Sequence, residues 1–199
     1  MGDGKLHSVY KRANIDIKTG DNAVEVLCER KIIRIKQMKN ADSKLYFSLP
    51  FLRFWFAFIS PLFKGIRDGK YAEVKKQWEN RGNEFVNLTF KELSHELLRK
   101  SFKDDPIMEI SEYWQNDGLE IDIYAKTKSK QRVLGSCKYT NTKIKKSELT
   151  KLQELGKRAN IQTDIFVIIA KKGFSNELKA LKGKNLKLLS LKNFKTLVE

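Results

Sequence analysis

A long helical pattern halted by a proline and followed at once by three strand-like runs is the feature that most restricts the fold of this chain. From Glu84 to Ser101 the apolar residues Val86, Phe90, Leu93 and Leu97 recur at helical spacing, and Pro106 stops the helix just after Asp104-Asp105. Three β-like runs follow, Ile107 to Trp114, Leu119 to Ala125 and Gln131 to Lys138. They are separated by Gln115-Asn116-Asp117-Gly118 and Thr127-Lys128-Ser129-Lys130, both favourable turn sequences. Ser147 to Ala159 then reads as a helix with Ser147 as its N-cap, and Asp164 to Ala170 as a fully buried strand. A short helix at Asn176 to Leu181, a strand at Leu186 to Ser190 and a final helix at Lys192 to Val198 complete the order. The expected class is α/β, a mixed sheet flanked by helices.

The stretch before this pattern is organised differently. Asn22 to Glu29 reads as a helix capped by Asp21, with Ala23, Val26 and Leu27 on its apolar face. Lys31 to Gln37 and Lys44 to Ser48 read as the strands of a polar-tipped hairpin, so that helix and hairpin resemble the end of a winged-helix unit. Only Leu6 to Arg12 supplies another helix, which makes the expected unit partial. Pro50 opens an aromatic run, Phe51-Leu52-Arg53-Phe54-Trp55-Phe56-Ala57-Phe58-Ile59, expected as a buried helix that packs the core and not as a stacking platform for bases. Tyr71 to Asn80 reads as a separate helix. With 199 residues the chain has room for one full domain, placed at 84–199, and a smaller helical and partial winged-helix region at 1–83.

Forty Lys and Arg against 24 Asp and Glu leave a formal charge of +16, which favours polyanionic partners. The excess is concentrated: between Lys126 and Arg158 there are eleven basic residues against only Glu148 and Glu154. Lys126, Lys128, Lys130, Arg132, Lys143, Lys145 and Lys146 are therefore the candidate nucleic-acid contacts. A solvated lysine-rich surface explains the same residues without a partner. Cys28 and Cys137 are expected to remain reduced, and with His7 and His95 they are too scattered for a zinc site. The polar start of the chain lacks an apolar signal core, and Phe51 to Phe63, broken by Arg53, Ser60 and Pro61, falls short of the ~20 residues needed to span a bilayer. These features predict a cytoplasmic protein without a membrane partner.

The chemistry-bearing residues are Glu120-Ile121-Asp122 on the second β run and Ser136-Cys137-Lys138 on the third. An acid on one strand and an acid-x-Lys on the next, in the order helix-β-β-β-helix-β, resembles the PD-(D/E)xK nuclease superfamily. Tyr46-Phe47-Ser48-Leu49-Pro50-Phe51-Leu52-Arg53-Phe54-Trp55-Phe56 and Gly135-Ser136-Cys137-Lys138-Tyr139 look more specifically like the C-terminal half of archaeal-type AAA ATPases, from about Ala23 onward. In that family a P-loop ATPase precedes a winged helix and a nuclease-like domain of unknown function. No G-x-x-x-x-G-K-[ST] occurs here, so ATP binding does not carry over, and a separate P-loop ATPase becomes a candidate partner.

The resemblance implies that Asp122 is the first metal-binding acid and Lys138 the lysine that orients the attacking water. The second acid of the pattern is Ser136 here, a neutral hydroxyl where Mg²⁺ calls for a carboxylate. Glu120, on the same strand face as Asp122, is the candidate substitute metal ligand, and Glu96 or Glu92 on the preceding helix the candidate third acid, Glu96 being favoured by its closeness to the Leu93/Leu97 stripe. The family's helix acid aligns alternatively with Lys91. Structural roles compete at each position: Asp122 as a sheet-end acid, Lys138 as its salt-bridge partner, Cys137 as a small apolar residue on the opposite face, and Tyr113 and Trp114 as core aromatics. The expectation is nucleic-acid binding, most naturally DNA, by a degenerate nuclease-like domain. A weak Mg²⁺-dependent endonuclease and a protein-interaction module serving a separate ATPase are the alternatives.

Overall fold

Local capping chemistry sets the first elements, seen in a computed structural model that describes residues 4–38 and 41–198. Helix α1 (Leu6–Ala13) ends at Asn14, which takes the left-handed conformation at φ 53° and turns its N–H back to the last carbonyls. Helix α2 (Ile17–Glu29) begins five residues earlier than its apolar pattern predicts, because Asp16 is the N-cap, accepting from Thr19 N–H at 3.0 Å. Asp21, the expected cap, instead accepts the Tyr10 hydroxyl at 2.8 Å. Strands β1 (Ile33–Met38) and β2 (Ala41–Phe47) pair antiparallel from Ile33↔Phe47 to Lys36↔Lys44. Residues 39 and 40, at the expected polar tip, lie outside the described residues. Lys5 bridges to Lys44, adding a short third run to this hairpin.

The aromatic run departs from a single buried helix. Pro50 starts α3 (Pro50–Phe54), but the chain then widens into a π-helical turn at Trp55–Ile59 and tightens into a 3₁₀ turn at Ser60–Leu62 before α4 (Phe63–Arg67). Phe58 is buried among Phe54, Trp78 and Phe85, whereas Phe51 and Phe56 are 64% and 50% exposed. Arg53, which looked like a polar interruption, is itself buried, with its guanidinium 5.1 Å from the Phe85 ring.

The chain divides into two compact units, Met1–Val86 and Asn87–Glu199. Helix α5 (Ala72–Ser101) begins in the first and ends in the second, a single 30-residue helix where the sequence pattern reads as two. Its buried face within the second unit is Phe90, Ser94, Leu97 and Leu98, while Leu93 is 45% exposed. The stripe is thus rotated from the expected one, because both sets of residues satisfy a 3.6 period and only packing selects between them.

The second unit is a five-stranded mixed sheet in the order β3 (Ile107–Trp114), β4 (Glu120–Thr127), β5 (Arg132–Lys138), β6 (Ile165–Ala170), β7 (Leu186–Ser190). The first three strands are antiparallel neighbours and the last three parallel, which makes this an α/β fold with a mixed sheet flanked by helices. The C-terminal part of α5 packs Phe90, Leu97 and Leu98 against Ile123, Ala125, Val133 and Val167. On the opposite face α6 (Lys146–Arg158) places Leu152 against Leu119, Ile121 and Leu134. It approaches so closely that a Cβ on Gly156 would stand 2.9 Å from Leu134 Cδ1. Helix α6 starts one residue before the expected Ser147 cap, at Lys146, with no side-chain cap on it. Helix α7 (Asn176–Ala180) carries the chain to β7, and the expected final helix is a 3₁₀ run, Leu191–Leu197. Among the described residues no helix is long and apolar enough to cross a membrane.

Candidate functional site

A β-bulge creates the site. Ser111 pairs with Tyr124 and Tyr113 with Ile121, so two steps along β3 match three along β4. Pairing of β4 with β5 ends at Ile123↔Gly135. Asp122 therefore leaves the ladder, and its side chain takes over part of the pairing: Oδ2 accepts the Cys137 N–H at 2.9 Å. Oδ1 meets Lys91 Nζ of α5 at 2.9 Å, and the Asp122 carbonyl lies 2.8 Å from His95 Nε2 on the same helix. Both carboxylate oxygens are thus engaged by the protein itself.

The same ammonium reaches Glu112 on β3, with Nζ 3.6 Å from Oε2. All three side chains are at most a quarter exposed. Burial alone would lower the lysine pKa, but Asp122 and Glu112 outweigh it and hold Lys91 above the ordinary lysine value. Burial pushes the Cys137 thiol up, and the neighbouring Asp122 charge adds to the rise. The thiol stays protonated at neutral pH and packs against the α5 side of the sheet as a small apolar group.

On β5 the side chains of Ser136 and Lys138 turn the other way, toward α6. The buried Ser136 hydroxyl donates to Glu148 Oε1 at 2.6 Å, and Lys138 Nζ meets the same oxygen at 3.1 Å. Asp122 and Lys138, expected together on one face, are engaged by different helices: Asp122 by α5 and Lys138 by α6. Glu96 projects outward, 65% exposed, with Arg99 Nε 4.0 Å away, because the buried face of α5 runs through Ser94 and Leu98. Glu92 is half-buried, and Glu120 is exposed at a register position opposite Trp114. No group of three or more His, Cys, Asp or Glu positioned for a metal ion occurs among the described residues.

The charged residues that build the site are largely ones the motif did not include. Lys91 belongs to the rotated stripe. Glu112 carries a legible signal, since it alternates with Ile110, which packs on the core, and a buried acid calls for a buried base. Glu148 occupies the first turn of α6, where an acid suits the positive end of a helix dipole.

The basic block is divided by the fold. Lys126, Lys128, Lys130 and Arg132 cluster about the β4–β5 turn, where Lys126 Nζ lies 3.1 Å from Glu109 and Lys130 takes φ 68°. Lys143, Lys145 and Lys146 lie beyond the other end of β5, a seven-residue strand that separates the two groups by roughly 20 Å. There Ile144 bridges to Phe174, which brings Lys171 and Lys172 to the same rim. Lys171 donates to Asn141 Oδ1 at 2.8 Å and lies 4.2 Å above the Tyr139 ring, while Lys146 stands 3.8 Å from Glu177. Lys143, Lys145 and Lys172 are exposed.

Residues 55–152 match the model of the DUF234 family, described as archaea bacterial proteins of unknown function. The matched stretch contains Lys91, Glu112, Asp122, Ser136, Lys138 and Glu148. Among solved structures, the crystal structure of a protein of unknown function, AF1548, is 19% identical, with 50% of this chain and 55% of that chain covered and a TM-score of 0.37. The chain thus spans about half the length of that protein. No curated protein matches.

Proposed function

We propose that this protein binds nucleic acid, most naturally DNA, along the lysine rim at the carboxyl ends of β5 and β6, and does not cleave it. The observation that carries the reading is the state of its carboxylates. A metal-dependent nuclease needs oxygens open to Mg²⁺ beside the scissile phosphate. Here both oxygens of Asp122 are taken, by Lys91 and by the Cys137 N–H, and Oε1 of Glu148 is held by Ser136 and Lys138. The element order α5-β3-β4-β5-α6-β6 alone supports a degenerate PD-(D/E)xK domain, since Asp122 and Lys138 are held by different helices. Two helices and a hairpin, with a third run bridged at Lys5, support a partial winged helix before it and hence a likeness to the C-terminal part of archaeal-type AAA ATPases, a separate ATPase being the corresponding protein partner.

Binding of fluorescent duplex DNA across a salt series, together with nicking of supercoiled plasmid in Mg²⁺ or Mn²⁺, tests the proposal. Affinity should fall steeply with salt, with a log-log slope of about 0.9 per phosphate contact, and no nicks should appear. Metal-dependent nicking that disappears in Asp122→Ala would establish the endonuclease alternative. Absence of salt-sensitive binding would leave the rim as a protein-docking face.

A further inference from the structure

The Lys91, Glu112 and Asp122 cluster has the charge arrangement of an ion site with its cation already attached to the chain. Two acids on neighbouring strands converge on one ammonium, at 2.9 Å and 3.6 Å, in a place where none of the three side chains is more than 24% exposed. The bulge at Asp122 is what turns the second acid to this side. Two carboxylates so close and so poorly solvated require a positive charge between them, since each would otherwise disfavour ionisation of the other. A hard divalent cation is one source of that charge and a lysine is another.

We propose that the Lys91 ammonium is a tethered substitute for a divalent cation, occupying the position between Glu112 and Asp122 and making the stability of the second unit independent of metal. The inference does not depend on nucleic-acid binding and can fail or hold separately from it. Lysine supplies its charge at the end of an apolar stem, so it fills the space without bringing the water shell that Mg²⁺ retains. The ammonium thus stands between the two acids, 2.9 Å from Asp122 Oδ1 and 3.6 Å from Glu112 Oε2, where an ion from solution would have to displace it.

Lys91→Met keeps the stem and removes the charge. Thermal unfolding of the full chain is followed for wild type, K91M and K91M/E112Q, first with EDTA and then with millimolar Mn²⁺, and bound Mn²⁺ is counted by its electron paramagnetic resonance signal. Wild type should bind no ion and keep the same Tm in both conditions. K91M should unfold several degrees lower in EDTA, recover at least half of that loss in Mn²⁺ and hold one ion, whereas K91M/E112Q should neither recover nor bind. A K91M protein indifferent to Mn²⁺, a wild type equally stabilised by it, or an unchanged response in K91M/E112Q would overturn the proposal. Should K91M not fold in EDTA, K91Q is measured in the same way, and failure of both to gain structure on adding Mn²⁺ also counts against it.

Discussion

Replacing Ser136 by Glu restores the acid-x-Lys pair in sequence, but the structure predicts that it destabilises the protein. Ser136 is 4% exposed and its hydroxyl is 2.6 Å from Glu148 Oε1, so a new carboxylate there confronts an existing one. Two like charges about 4 Å apart at an effective dielectric near 20 repel by roughly 4 kcal/mol. The hydrogen bond to a charged acceptor, about 1.5–3 kcal/mol, is lost as well. Lys138, 3.1 Å from Glu148, offsets part of the repulsion, which leaves a net cost of about 3–5 kcal/mol. For a chain of this size that corresponds to a fall in Tm of roughly 6–20 °C. Glu148→Ser alone should cost less, about 1–2 kcal/mol, because Lys138 is partly solvated and Ser136 keeps a small neutral hydroxyl opposite it. Exchanging the two residues moves the carboxylate from helix to strand beside the same lysine, so the Ser136→Glu/Glu148→Ser protein should be at least 2 kcal/mol more stable than Ser136→Glu. Urea unfolding of the four proteins closes this double-mutant cycle. A coupling energy below about 0.5 kcal/mol would mean that positions 136 and 148 do not share one carboxylate place beside Lys138.

Charge reversal at Lys143, Lys145 and Lys146 together should weaken DNA binding across sequences and reduce the salt slope by roughly 2–3, whereas reversal at Lys128 and Lys130 at the far end of β5 should change it little; equal binding by wild type and the triple variant, read by fluorescence anisotropy, would remove the strand-end rim from the interface. Leu152→Ala, which empties a fully buried position between α6 and the sheet, should cost about 2–5 kcal/mol in urea unfolding. In the native protein Cys137 should resist a thiol reagent that modifies it readily in denaturant, and a Cys28→Ser variant isolates that reading. Burial and the bond to Asp21 raise the Tyr10 pKa to about 12, so its contribution is intact below the unfolded phenol value near 10 and is lost as pH rises through the folded one. Ultraviolet difference titration should show one late-ionising tyrosine that is absent in Tyr10→Phe.

The strands of the second unit were legible in the chain because their determinants are local. The helix stops at Ser101, short of Pro106, Gln115 to Gly118 and Thr127 to Lys130 make the turns, and strand-favouring runs lie between them. The same holds for the alternation that sends Cys137 to one side of β5 and Ser136 and Lys138 to the other. Tertiary packing decided the rest. Periodicity on α5 admits two stripes, and only contact with Ile123 and Val133 chooses Phe90, Leu97 and Leu98, which in turn brings Lys91 inward and leaves Glu96 in solvent. The bulge at Asp122 is a property of the register between β3 and β4, which neither strand carries alone. Glu112 and Glu148 stand 10 and 26 residues from Asp122, and no local rule connects them to it. A carboxylate in the chain is a possible metal ligand; whether it is one depends on the nearest cation, and here the fold supplies Lys91 and Lys138.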